Sequence, residues 1–310
     1  MDKLDKRLLK LLMKNSRTPL TSLAKKLRVS REVVTYRMNK LVKQGIIKSF
    51  FADINTNALG YIGAAFFVVI KANKSKEFKK YISGLNYVSW VAEWSSTFNY
   101  GMTIHGKTIE EIDSRFQKIM NKFKHDIVDH KFILHRRNQF FYEKYFGGAS
   151  KVTSYDFVKM KIDKKDKVIL RELSANSRVS SVALASKLSL SGPAVSQRVK
   201  ALEKNGYINK YSIFVDLTKL GMYQYSVFVG NKQLSDKRKL VSYLGSHDSV
   251  HFVADYVGDP FLEFGVFVKD PYSVRSILFD VESEFGLNFV DVALLQKEFV
   301  SVGVGGCVFG

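Results

Sequence analysis

The 310 residues predict an α+β protein in which two winged helix-turn-helix domains alternate with two ferredoxin-like βαββαβ domains. Three observations lead there. The chain repeats itself: with Asp5 aligned on Asp166, the register holds without a gap to Leu59-Gly60 on Leu220-Gly221, through Asn15-Ser16-Arg17 on Asn176-Ser177-Arg178, Leu27 on Leu188, Arg37 on Arg198 and Gly45 on Gly206. A repeat this long is a duplicated domain rather than a solenoid unit. The first part of each copy spaces its apolar residues as helices do, and the second part mixes short β-rich runs with two amphipathic stretches.

The elements follow in order. Leu4, Leu8, Leu9, Leu11 and Leu12 make the stripe of a first helix. Asn15-Ser16-Arg17 is a polar break, and Thr18-Pro19 can cap and start a second helix, with Leu20, Leu23, Ala24 and Leu27 buried. Ser30 is the N-cap of a third helix that buries Val34, Met38, Leu41 and Val42 and stops at Gly45. Ile46-Ile47 and Phe50 to Ile54 read as an extended wing. Then come strand 64–70, helix 75–85, strands 88–94 and 100–105, helix 108–123 and strand 127–137. Copy two predicts 225–229, 235–244, 250–256, 262–268, 271–285 and 288–299 in the same order. The boundaries fall at 1–58 and 163–218 for the helix-turn-helix domains and 59–146 and 219–302 for the α+β domains. Residues 147–162 form a linker, and 303–310 form a Gly-rich tail expected to fray without a function.

Charge is concentrated in the two helical segments. Residues 1–50 carry 14 Lys/Arg against 3 Asp/Glu, and 163–210 carry 10 against 4, so +17 of the net +20 lies there. Residues 211–310 are acidic, 8 against 12. Positive charge confined to two compact segments fits a polyanionic partner. The longest near-apolar run, Tyr61 to Ile70, is half of the ~20 residues a membrane helix needs. The N-terminus lacks a secretory pattern and Cys307 stands alone, so a cytoplasmic, nucleoid-associated protein is expected.

On the third helix of copy one, the side chains outside the apolar stripe are Arg31, Glu32, Thr35, Tyr36, Arg37, Asn39, Lys40 and Lys43. Arg31, Thr35 and Tyr36 lie where a recognition helix meets base edges, Lys40 and Lys43 where it meets phosphates, and Ser30 sits at a helix N-terminus suited to phosphate. Copy two presents Ser191, Gly192, Pro193, Ser196, Gln197, Arg198 and Lys200, a shorter-armed set. A protein-docking face is the competing reading, but it does not require basic bias in both copies.

The motif Leu4-Asp5, Asn15-Ser16-Arg17, Leu23-Ala24-Lys25-Lys26-Leu27, Ser30, Val33-Val34, Arg37-Met38, Leu41 and Gly45-Ile46-Ile47 resembles the Lrp/AsnC (leucine-responsive regulator/asparagine regulator) family, and copy two matches as well. The resemblance implies a sequence-specific double-stranded DNA-binding transcription regulator. It makes the α+β halves RAM-type effector and assembly domains that pair within the chain as a pseudo-dimer, open to further homo-oligomerisation. In that family a Gly-x-aromatic-Asp turn between the second and third strands helps form an amino-acid pocket. Here copy one has no glycine and places Asn99 at the Asp position, and copy two keeps Gly258 but has Phe261 there. Ser96, Phe98, Asn99, Gly258 and Asp259 are the candidate effector contacts, against the plainer reading of structural hairpins.

No cofactor or metal is expected. His130 and His135 are five apart on a strand and face opposite sides, and His105, His125, His247 and His251 join no cysteine or carboxylate cluster. Surface or half-buried roles are expected for all six. The basic-aromatic run His135 to Phe146 reads as a last strand packing on a neighbouring domain rather than a single-strand stacking platform. Carboxylates form no pair, so the chain is expected not to be an enzyme. Two alternatives stand beside the regulator. One is a DNA-packaging protein; the other is an enzyme resembling the sirohaem decarboxylases, for which His135-Arg136-Arg137 is the local hint.

Overall fold

A computed structural model describes residues 1–147, 158–230, 237–301 and 304–309. Residues 148–157 of the expected linker, the expected helix start at Ser235 and tail residues 302, 303 and 310 lie outside the described residues. Copy one runs α1 (Lys3–Lys14), α2 (Leu20–Leu27), α3 (Arg31–Lys43), β1 (Ile47–Ile54), β2 (Ile62–Ile70), α4 (Ser75–Ser83), β3 (Val88–Ser95), β4 (Tyr100–Gly106), α5 (Ile109–Lys122) and β5 (Ile127–Phe140). Copy two runs α6 (Lys164–Ala175), α7 (Ser181–Leu188), α8 (Gly192–Lys204), β6 (Ile208–Val215), β7 (Tyr223–Val229), α9 (Lys237–Ser246), β8 (Val250–Val257), β9 (Leu262–Val268), α10 (Ser273–Phe285) and β10 (Phe289–Ser301).

Local chemistry explains the helical heads. Asp2 and Asp163 cap α1 and α6 through capping boxes with Asp5 and Asp166. Ser30 and Ser191 accept the Val33 and Ala194 amides at the starts of α3 and α8. Both helices run into a glycine, Gly45 at φ +67° and Gly206 at φ +75°, a backbone region that suits a residue without Cβ. Two expectations need correction. Thr18 does not cap α2, because its hydroxyl bonds back to the Asn15 carbonyl and Pro19 takes the cap position without a side-chain bond. Val42 is 43% exposed, on the outer side of α3 from Val34 and Leu41.

The two copies are interlocked. β1 and β6 form an antiparallel two-stranded ribbon, with Phe50 opposite Ile213 and Ala52 opposite Tyr211. Ile213 and Val215 of β6 enter the core of the first head with Leu8, Leu12 and Leu23. Ala52 and Ile54 of β1 enter the core of the second head with Ile169, Leu173 and Leu184. Each head therefore buries its apolar face on the other copy's strand, which neither could supply alone.

The α+β halves close into one barrel of order β10-β3-β4-β2-β5-β8-β9-β7. Length makes this closure workable. The 14-residue β5 pairs with β2 through its first half and with β8 through its second. The 13-residue β10 bridges β7 and β3 in the same way. Helices cover the outside, and small and aromatic side chains such as Ala65, Phe67, Ala92, Trp94, Phe228, Ala254 and Tyr256 plug the inside.

The run after His135 packs, as the last-strand reading has it. Phe141 is buried in the core of the second α+β half and Tyr145 in that of the first head. The tail departs from its expected fraying: Val304, Val308 and Phe309 are buried against the second head, and the Tyr61 hydroxyl donates to the Cys307 carbonyl at 2.8 Å. Apolar residues among the glycines give the tail a docking surface that composition alone conceals.

Candidate nucleic-acid interface and the interior cavity

The reading face of α3 starts at its capped N-terminus. Arg31, Glu32, Tyr36, Lys40 and Lys43 are exposed, Tyr36 at 67%. Thr35 is half-buried and spends its hydroxyl on the Arg31 carbonyl. On α8, Ser191, Pro193, Gln197 and Lys200 are exposed, Gly192 is half-buried, and Ser196 bonds Ser181 at 3.2 Å. Arg37 and Arg198 have a different place. Arg37 holds Asp2 and Asp5 at 2.6 and 2.8 Å; Arg198 holds Asp163 and Asp166, both at 2.8 Å. Each ties the recognition helix to the capping box of its head's first helix. The bond from the Asp5 backbone and then the Arg37 guanidinium hold the Asp2 carboxyl below its ordinary range.

The Asn-Ser-Arg triplets are more than polar breaks. Ser16 and Ser177 share a buried hydroxyl hydrogen bond of 2.6 Å. Arg17 donates to the Ser177 carbonyl at 2.7 Å, and Arg178 returns the bond to the Ser16 carbonyl at 2.5 Å. Arg17 lies over Tyr211 and Arg178 over Phe50, on the ribbon. This reciprocal clasp fixes one head against the other. Its signal in the sequence was the recurrence of three polar residues at one register, which helix periodicity does not weigh.

The candidate effector turns are occupied by internal bonds. The Asn99 side-chain amide bonds both the N–H and the C=O of Ile70, and the Ser96 hydroxyl donates to Phe98 O. Phe98 packs at 6.1 Å on Phe67. Gly258 takes φ +124°, and Asp259 follows it in the β8–β9 turn.

A cavity of about 330 Å³ lies elsewhere, between the ribbon and the interior of the barrel. Phe51, Asp53, Ile213 and Phe214 of the ribbon line it on one side. Trp90, Trp94, His105, His135, His251, Phe252, Tyr256, Glu263 and Glu298 line it from the barrel. Here the expectation for the histidines is corrected: His105 and His251 are buried, 6% and 2% exposed, and burial lowers both pKa values to about 3. Burial holds His135 at about 4. Alternation on one strand placed His135 correctly away from His130 but could not see that barrel closure brings β4, β5 and β8 to one space. Gly63 makes room there; a Cβ would stand 3.3 Å from the His135 ring and 3.7 Å from that of His105. Burial raises Glu263 to about 7 and pushes Asp53 and Glu298 upward. Among the described residues no group of three His, Cys, Asp or Glu could hold a metal ion, and no helix is long and apolar enough to cross a membrane.

Comparison with known proteins matches the geometry. A family model described as winged helix-turn-helix DNA-binding fits residues 1–48 and again 162–209. The chain is 33% identical over 122 residues to the HTH-type transcriptional regulator LysM of Sulfurisphaera tokodaii, covering 38% of this chain and 84% of that protein. It is 30% identical over 115 residues to the HTH-type transcriptional regulator FL11 of Pyrococcus abyssi, covering 37% and 76%. A helix-turn-helix head on a RAM-type α+β half is thus present twice, and the chain belongs to the Lrp/AsnC family of helix-turn-helix transcriptional regulators.

Among solved structures, the sirohaem decarboxylase NirDL superposes with a TM-score of 0.68 at 16% identity, covering 98% of this chain and 94% of that one. The likeness is one of fold. It nevertheless overturns the expectation that the chain is not an enzyme, because the architecture it matches from end to end is an enzyme's.

Proposed function

We propose that the chain is a single-chain pseudo-dimer that reads double-stranded DNA with two unlike heads and regulates transcription from an asymmetric site. The observation that carries this is the pair of N-capped helices α3 and α8, which leave Arg31, Tyr36, Lys40 and Lys43 exposed on one head and Gln197 and Lys200 on the other. Arg31 suits guanine, which takes two hydrogen bonds from a guanidinium, and the lysines suit phosphates. The clasp and the ribbon keep the heads in one relation, as reading two half-sites requires. Footprinting on genomic fragments at about 50 mM salt tests this, since electrostatic contacts are strongest there. A bounded, asymmetric footprint supports it. Dense coating without preference would favour DNA packaging, and no binding would remove the reading.

The full-length match to a decarboxylase fold favours a second reading, catalysis on a tetrapyrrole; one such NirDL structure is a co-complex with an iron-uroporphyrin III analogue. A polycarboxylate guest would meet Arg136 and Arg137 at the rim of the cavity, but also Asp53, Glu263 and Glu298 on its walls. That charge pattern ranks catalysis second. A change in the absorption spectrum of an added iron uroporphyrin, followed by loss of carbon dioxide, would reverse the ranking.

A further inference from the structure

The cavity beneath the ribbon contains polar atoms that the protein itself does not satisfy. Trp94, His105 and His251 are at least nine-tenths buried. Trp94 Nε1, His105 Nδ1 and both ring nitrogens of His251 lack hydrogen-bond partners, the Gly265 backbone near His251 falling short of bonding geometry. His135 Nε2 and Asp53 Oδ2 are buried and unpartnered as well. Buried polar groups are nearly always paired, and each left bare costs about 1–3 kcal/mol. Several around one cavity describe a site shaped for a guest.

The chemistry of the walls selects that guest. His135 Nδ1 faces Asn138 Oδ1 at 2.9 Å, which makes Nδ1 the donor and leaves Nε2 as an acceptor. His105 Nε2 is engaged by the Ser89 hydroxyl at 2.8 Å, so only Nδ1 faces the guest. Asp53 Oδ2 is an unpartnered carboxylate oxygen. Glu298 takes the Trp90 indole N–H with one oxygen at 2.8 Å, and Glu263 takes the Tyr256 hydroxyl. The lining thus holds three carboxylates and a surplus of acceptors. Among the described residues its cationic side chains are Arg136 and Arg137; both are exposed, and Arg136 is turned to Asp255 at 3.8 Å. Lys210, whose charge acts on Asp53, gives its ammonium to the Phe140 carbonyl at 2.9 Å and stands 3.9 Å from Glu143. Trp90 and Trp94, 5.6 Å apart, offer aromatic faces with Phe252 and Tyr256.

We propose that this cavity binds a small organic cation, an amidinium, guanidinium or ammonium carried on a flat apolar body. Its N–H groups would meet Asp53, His135 and His105, and its body would lie on the indoles, where a cation also gains from the ring faces. A single acceptor elsewhere on the guest would serve Trp94 Nε1. The site is separate from the candidate effector turns. It touches the ribbon that carries both heads, so occupancy would bear on their spacing. The inference does not rest on the DNA-binding reading.

The chain's two tryptophans both line the cavity, which makes intrinsic fluorescence a direct reporter. Benzamidinium, benzamide and benzoate share one shape and differ in charge, and each is titrated into the full chain. The expected result is a saturable change with benzamidinium, at least about tenfold weaker binding of benzamide, and none of benzoate. Asp53→Asn and Glu298→Gln, made singly, should each weaken benzamidinium binding by about tenfold or more while the thermal transition is kept. Glu298→Gln retains an acceptor for Trp90, so it keeps the test open if Asp53→Asn does not fold. Equal or tighter binding of benzoate, no saturable change below about 10 mM, or indifference to both substitutions overturns the proposal. So does displacement of benzamidinium by iron uroporphyrin III, which would assign the cavity to a tetrapyrrole.

Discussion

The two heads share a framework and differ in what they present. Both have a capping box at the first helix, an arginine from the recognition helix bridging its two aspartates, and an arginine reaching across to the other head's backbone. On the outer face the first head has Arg31, Tyr36, Lys40 and Lys43, where the same register gives the second Gly192, Gln197, Ala201 and Lys204, with Lys200 exposed beside them. The cavity walls diverge similarly. Ser89 and His251 are the second residues of β3 and β8; His105 and Phe267 are the sixth of β4 and β9. In copy one the pair is hydrogen-bonded, while in copy two His251 meets a phenyl ring at 5.9 Å and its nitrogens are unpaired. Duplication in one chain frees each surface to specialise, provided the residues that hold the copies together remain alike.

The strongest check on that comparison is to break the shared framework. Arg37→Ala strands Asp5, and Arg198→Ala strands Asp166, carboxylates only 3% and 4% exposed. Losing the partner of a buried carboxylate costs about 3–5 kcal/mol, and the partly exposed arginines here bring that to about 2–3. Equal losses in urea unfolding are expected from both substitutions. If Arg37→Ala leaves stability intact and abolishes DNA binding alone, that arginine belongs to the reading face and the framework is not shared.

The cavity histidines give the next largest effect, through pH. Their folded pKa values of about 3 to 4 lie below the ordinary 6.5, so the unfolded chain takes up protons first as pH falls. The stability they contribute is full above about 6.5 and drains as pH drops toward 4. Glu263, raised to about 7, acts oppositely: it favours the fold at low pH and loses that contribution as pH rises from about 4.5 through 7. Asp53 and Glu298, also raised, oppose the histidines too. Because the carboxylates offset the histidines in the parent chain, the readout is the difference between it and His251→Gln: the variant should gain stability in urea relative to the parent as pH falls from 7 to 5. A difference that stays constant over that interval would place the His251 ring in contact with solvent.

Much of this was legible in the sequence, for identifiable reasons. Periodicity located the helices and strands because each buries a single face, and the repeat gave the pseudo-dimer its symmetry. Three features were hidden. The exchange of β1 and β6 between cores is a long-range pairing that no local window contains. The clasp uses Ser16, Arg17, Ser177 and Arg178, residue types that local reading assigns to a break. The cavity assembles His105, His135 and His251 from three strands, and only barrel closure brings them to one space. The recognition helices were legible as helices, while the inward role of Arg37 depends on Asp2 and Asp5, a whole helix earlier.

A smaller effect comes from the reading residues themselves. Arg31→Ala should lower affinity for the preferred site about tenfold and relax one position of it, as loss of a bidentate guanine contact does. Gln197→Ala, which removes an exposed polar side chain of α8, should cost less, about threefold. Binding selections with each variant measure both. Equal losses would mean that the heads read alike despite their different side chains.

The finest distinction is electrostatic. Lys40 and Lys43 on α3 and Lys200 on α8 are exposed and have no ion pair among the described residues. Each lysine that neutralises a phosphate steepens the dependence of log K on log salt by about 0.9. Replacing Lys40 and Lys43 together should flatten that slope by about 1.8, whereas Lys200→Ala should flatten it by about 0.9, with little change in sequence preference in either case. Affinity measured from about 50 to 200 mM salt gives both slopes. A slope carried equally by the two heads would show that copy two anchors as firmly as copy one, and the division of labour would then rest on Arg31 and Tyr36 alone.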